Sequence, residues 1–235
     1  MIRCAMFDLF NVLVFGNATL LFEFINRHRR SHTTSLDSFF SSQTICLYES
    51  GKIDNLEFFR RCKDDFGLEN VSREEFYAVA FTKNIEPDWR MVKLKDTLKQ
   101  NGLKLALVSN VGPAHLRYIE SNWPKVFDNF DYLSLSFRCG LRKPHPRIYL
   151  DAIERLWVRP EECFFVDDQI SNVIAFEQLA RIGHRGVGHH YNVVDENSRP
   201  NGRLEIERNR LLLRMVNLGM LNTNQASGIT RVDLA

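Results

Sequence analysis

Apolar positions along the chain change rhythm at about residue 87. Residues 2–7 are a short, mostly apolar run that ends at Asp8, as a buried strand ends at a polar site. The next seventy residues show helical spacing instead. Residues 18–27 predict a helix, and 31–44 are rich in Ser and Thr and carry cap signals. Leu56, Phe58, Phe59, Cys62 and Phe66 line one face of a helix over Asn55–Phe66. SREEF (72–76) opens another, with Ser72 as N-cap and Glu75 as its capping-box partner.

After Pro87 strands and helices alternate. Helices are predicted at 89–100, 113–122, 146–156 and 172–181, the last closed by Gly183. Strands are predicted at 104–110, 131–136, 163–168 and 184–190. Repeated strand–helix units predict an α/β fold with a doubly wound parallel sheet. The first strand belongs to that sheet. The expected organisation is a core of 1–14 and 88–194, a helical cap at 15–87 inserted after the first strand, and an extension at 195–235. NSRPNG (197–202) reads as a linker, and 207–220 as one amphipathic helix that packs on the core, bridges a dimer or binds a partner. The last dozen residues read as loose.

Composition narrows the picture. With 235 residues, 44% hydrophobic and 26% charged, the chain is globular. Eighteen Phe residues point to aromatic core packing. A net charge of +2 provides no field to gather nucleic acid or a membrane surface. No stretch reaches the ~18 apolar residues of a bilayer span, and the N-terminus lacks a signal-peptide pattern. The five cysteines are odd in number and form no C-x-x-C pair, which argues against a zinc cluster or disulfide framework and fits a reducing, cytoplasmic compartment.

The candidate chemistry sits at strand ends. Asp8, Ser109-Asn110 and Asp167-Asp168 each close a predicted strand, and ligands of open parallel sheets bind at the strands' carboxyl ends. Lys143 follows in a loop that leads into a helix. Three converging carboxylates need a cation among them, and a hard, oxygen-preferring ion such as Mg²⁺ answers that need. Asp8, Ser109 or Lys143 alone reads as a cap, a turn former or a solvated side chain, a reading that is weakest for Asp167-Asp168, since adjacent buried carboxylates are costly without a cation.

FDLFNVLV (7–14), LALVSN (105–110), GLRKPHPRIY (140–149) and FFVDDQISNVIAF (164–176) resemble, in order, the four motifs of the haloacid dehalogenase superfamily. The first is close to the FDLGNV run of the branch with glucose-1-phosphate phosphatase-like enzymes and the N-terminal phosphatase domain of soluble epoxide hydrolase. YESGKIDNLEFF (48–59) resembles that branch's cap. The resemblance spans about residues 2–192 and implies a Mg²⁺-dependent phosphatase of a small phosphorylated molecule. Asp8 is the implied nucleophile, forming an aspartyl-phosphate. Ser109 and Asn110 would bind phosphoryl oxygens, and Lys143 would pair with nucleophile and phosphate. Asp8, Asp168 and the Phe10 carbonyl would hold Mg²⁺, supported by Asp167 and Asn172.

The match fails at Phe10. The family's efficient phosphatases carry there an Asp that protonates the leaving group, and losing a positioned acid/base costs ~10²–10⁴ in rate. The preferred reading is a phosphatase that moves the proton by another route. The alternatives are a catalytically impaired binding or regulatory protein, and a metal-free 2-haloacid dehalogenase, against which the intact Asp167-Asp168 pair argues. His145 reads as a turn residue, with a substitute acid/base role the alternative. Arg142 reads as solvated. The basic run Arg27, His28, Arg29, Arg30 and His32 reads as a solvated face, with a substrate's second phosphate or an acidic partner as alternatives. His184, His189 and His190 read as loop residues without ligand partners.

Overall fold

The structure is a computed structural model of the chain, which describes residues 1–16, 18–28, 41–82, 85–179, 187–192 and 204–230. Five parallel strands form the central sheet: β1 (Cys4–Phe7), β4 (Lys104–Ser109), β5 (Tyr132–Leu135), β6 (Cys163–Asp167) and β7 (Val187–His190). Their order is β5-β4-β1-β6-β7, so the chain builds outward from β1 first on one side and then on the other. β1 lies at the point where the winding reverses, where such sheets bind ligands.

The strands read as unbroken apolar runs because both faces are covered. Ala5, Phe7, Leu105, Leu107, Phe164 and Val166 enter one core, and Cys4, Met6, Ala106, Val108, Cys163 and Phe165 enter the other. Helices α5 (Trp89–Gln100) and α6 (Pro113–Asn122) cover the first face. The short α7 (Ser136–Cys139) follows β5, and α8 (Pro146–Arg155) and α9 (Ile170–Gln178) cover the second face. Helix α9 starts two residues earlier than the sequence predicts; Arg181, Gly183 and His184 lie outside the described residues.

Between β1 and α5, four helices stand among the described residues and share an aromatic core: α1 (Ala18–His28), α2 (Gln43–Glu49), α3 (Asn55–Phe66) and α4 (Arg73–Phe81). Tyr48, Phe58, Phe59, Phe76 and Phe81 stack within it. Ser72 and Glu75 form the expected capping box. Helix α2 has no counterpart in the sequence reading; Ser42 caps it, and buried Ile45 and Tyr48 hold it in place. A two-stranded antiparallel ribbon, β2 (Val14–Phe15) with β3 (Glu86–Pro87), joins the two crossings to the sheet side by side. Each strand is two residues long, too short for a periodicity to reveal.

Of the C-terminal stretch, the described residues 204–230 pack on the core. Helix α10 (Leu204–Asn217) buries Leu211, Leu212 and Met215 against the first face. Arg208 of α10 pairs with Asp88 at 2.5 Å, beside the ribbon. Contrary to the expectation of a loose end, Thr223–Thr230 form a helix, α11, that buries Ile229. Gln225 and Asn101 exchange side-chain hydrogen bonds that tie α11 to the end of α5. A weakly amphipathic segment gains its order from that docking rather than from its own periodicity. No helix of the described residues is long and apolar enough to cross a membrane.

His189 is a correction to the loop reading. It lies in β7, is 7% exposed, and neither ring nitrogen has a partner among the described residues. Burial, and then Arg214, His190 and Arg210 nearby, push its pKa down to about 4. The unfolded chain takes up this proton near pH 6.5, and the folded chain only near 4. Stability from this group is therefore present above pH 6.5 and lost as pH falls toward 4, by up to about 3 kcal/mol. We expect urea unfolding at pH 7 and pH 4.5 to show that loss, with a smaller pH difference in His189→Leu. Equal pH differences in both proteins would exclude His189 as the source.

Candidate active site

The carboxyl ends of β1, β4 and β6 place their polar residues together. Carboxylate oxygens of Asp8, Asp167 and Asp168 lie within 4.8 Å of one another. The Lys143 ammonium enters this group, with Nζ 2.7 Å from Asp8 Oδ1 and 2.6 Å from Asp167 Oδ2. Asp8, Lys143 and Asp167 are all buried.

Each side chain is held by a neighbour that the fold supplies. The Asp8 amide continues the sheet ladder by donating to the Val166 carbonyl, and Leu9 N donates to Asp8 Oδ1 at 2.7 Å. Asp8 Oδ1 thus carries both Leu9 N–H and Lys143, which leaves Oδ2 without a hydrogen bond among the described residues. Asn172 donates to both Asp167 oxygens at 3.0 and 3.2 Å, from the first turn of α9. Asn110 holds the Lys143 backbone: Lys143 N donates to Asn110 Oδ1 at 2.7 Å, and Asn110 Nδ2 donates to the Lys143 carbonyl at 3.0 Å. Both bonds position Lys143, a role that stands beside the implied phosphate contact. Ser109 Oγ is fully buried and unpaired among the described residues, so an oxygen of a bound ligand would satisfy it.

Three carboxylates face one ammonium, so the group carries an excess of two negative charges when ionised. Burial, and then neighbouring Asp167 and Asp168, hold the Asp8 carboxyl up at about 7 against the pull of Lys143. Burial and Asp167 likewise raise Asp168 to about 6. A divalent ion bound only by oxygens balances that charge, and no soft ligand is in the group. The residues present therefore fit Mg²⁺.

Phe10 presents an aromatic edge instead of an acid. Its ring stands edge-on to His115, centroids 5.5 Å apart, and His115 stands edge-on to Phe81 of α4 at 5.1 Å. A Cβ on Gly16 would come within 2.8 Å of the Phe10 ring, so this glycine makes room for it. His115 Nε2 bonds the Ala80 carbonyl at 2.8 Å, and burial pushes the imidazole down to about 4. At neutral pH this histidine has no acidic proton to give.

His145, the other candidate acid/base, is exposed and caps α8, with Nδ1 accepting from Arg147 N at 3.2 Å. Arg142 is not solvated: its Nε pairs with Glu49 Oε2 at 2.7 Å and its Nη1 meets Cys46 Sγ at 2.8 Å. The peptide that carries Lys143 is therefore tied to α2. At the same junction the Tyr48 ring lies on Gly112, where a Cβ would approach to 2.1 Å. His190 Nε2 bonds the Asp168 carbonyl at 2.9 Å, so this second presumed loop histidine supports the site from β7. Arg27 and His28 are exposed at the end of α1; Arg29, Arg30 and His32 lie outside the described residues. Sequence reasoning missed Asn11, Glu49 and His190. Only the place of Asn11 inside the first motif could have drawn notice; Glu49 and His190 carry no local signal.

The haloacid dehalogenase-like hydrolase family matches residues 2–179. A sesquiterpene phosphatase of Aspergillus oryzae is 28% identical over 152 residues, 63% of this chain and 74% of that protein. A D-ribitol-5-phosphate phosphatase of Bacteroides thetaiotaomicron is 28% identical over 185 residues, 76% of this chain and 89% of the relative. A haloacid dehalogenase family enzyme of the same bacterium, solved with magnesium and inorganic phosphate, superposes with a TM-score of 0.63 at 23% identity, covering 81% of this chain and 94% of that one.

Proposed function

The chain belongs to the haloacid dehalogenase-like hydrolase family, and from that premise we propose that it is a Mg²⁺-dependent hydrolase of a small phosphomonoester. One observation carries the reading: a buried ammonium bridges two carboxylates while a third stands beside them, leaving a charge that a divalent ion and a phosphate together would complete. Both phosphatase relatives act on phosphorylated small molecules of different polarity, so they support the reaction class and not one substrate.

In this reading Asp8, Asp168 and the Phe10 carbonyl hold the ion. When bound, Mg²⁺ orients the phosphate and offsets the charge that develops on its oxygens. Lys143 and the hydrogen bond from Leu9 N anchor Asp8 Oδ1, which leaves Oδ2 to attack phosphorus. The bond from phosphorus to the leaving oxygen breaks as the aspartyl-phosphate forms, and water then cleaves that acyl phosphate to regenerate Asp8. Ser109 Oγ donates to a phosphoryl oxygen. Lys143 reduces repulsion between nucleophile and phosphate. Asn110, Asn172 and Asp167 keep Lys143 in place.

Phe10 cannot protonate the leaving oxygen. Substrates whose leaving group departs as a stable anion are therefore favoured, which makes an aryl phosphate the right probe. We expect phosphate release from p-nitrophenyl phosphate with Mg²⁺ and none with a chelator. Release that continues undiminished in chelator would overturn the metal-dependent mechanism. Phe10 also favours a second reading, in which the site binds metal and phosphate without turning over.

A further inference from the structure

Asn11 adopts a left-handed backbone, φ 58°, at the tight turn after β1. Asparagine tolerates this conformation better than most side chains. The turn aims the amide at the acidic group: Nδ2 donates to Asp168 Oδ2 at 2.9 Å. Its other end is unusual. Oδ1 is buried and accepts no hydrogen bond among the described residues. A buried amide oxygen without a donor is costly, so its position beside the carboxylates calls for a ligand that donates.

We infer that Asn11 is a positioning residue of the metal site, holding Asp168 with its amide nitrogen and accepting with Oδ1 from a water bound to the ion. The inference rests on the Mg²⁺ reading above. Mg²⁺ takes about six oxygens and keeps several as water, which donate hydrogen bonds outward. The two carboxylates and one carbonyl assigned to it leave room for such water. Asn11 Oδ1 is an acceptor at the edge of this group with no competing donor. Outer partners of this kind orient a ligand and hold the ion's own shell.

Calorimetric titration of the full chain with MgCl₂, without substrate, tests this. Asn11→Gly removes the amide and keeps the left-handed turn unstrained, and unfolding in chelator checks that it folds. Mg²⁺ should bind it ~10–100-fold more weakly than it binds the wild type. A second measurement needs no variant: the Asn11 side-chain amide resonance of the wild type should shift as Mg²⁺ saturates. If the wild type binds no Mg²⁺, the metal reading itself fails. If the wild type binds while Asn11→Gly binds within twofold of it, or the amide resonance stays put, the metal reading stands and the Asn11 role is wrong.

Discussion

Asp8→Asn is expected to remove turnover and, without metal, to stabilise the fold. The first half follows from the assigned nucleophile: an amide cannot form the acyl phosphate, and losing a nucleophile costs roughly 10⁴-fold or more. The second half follows from charge. Asp8 is buried with two other carboxylates and one ammonium. Its carboxyl sits at about 7 because burial outweighs the attraction of Lys143. The folded chain therefore holds this proton more tightly than the unfolded chain does. Stability falls as pH rises from about 4 to 7, and above that window the full cost, up to about 4 kcal/mol, is present. Asparagine is neutral at every pH and has nearly the same shape. Metal-free Asp8→Asn should then melt higher than the wild type at pH 7.5, with the gap closing toward pH 4. Adding Mg²⁺ should stabilise the wild type more than the variant. A variant that melts lower at pH 7.5 without metal would show that the Lys143 pair outweighs the repulsion.

Phe10→Asp is expected to raise turnover by ~10²–10⁴-fold, the worth of a positioned acid/base. The ring is half-buried, and Gly16 already keeps the space beside it open. Its loss removes the edge-on contact to His115, for a stability cost of about 0.5–1.5 kcal/mol. A gain limited to poor leaving groups, with aryl phosphates little changed, would identify leaving-group protonation as the missing step. An unchanged rate on both classes would show that the limit lies elsewhere. A wild type that binds Mg²⁺ and phosphate but turns over only after this substitution would favour the binding-protein reading.

The strand ends were legible in the sequence because they are local. A buried parallel strand is a short apolar run, and its end is marked by the first polar residue that must find a partner. Asp8, Ser109 and Asp167 each stand there, and the fold brings them together as neighbouring parallel strands must. The same locality made the Ser72–Glu75 cap readable.

What the sequence by itself determined is thus the sheet, its helices and the residues of the acidic group. Tertiary structure alone decided their supports. Glu49 reaches Arg142 across 93 positions and His190 reaches the Asp168 carbonyl, contacts that no spacing encodes. Asn110 and Asn11 are held by partners 33 and 157 positions away. Helix α11 and the β2–β3 ribbon are too short or too weakly patterned to announce themselves, and burial against distant elements orders them. Periodicity reports which face of an element is buried. It does not report which distant polar group waits on the other side, because that partner is chosen by chain crossings and burial rather than by neighbours in sequence.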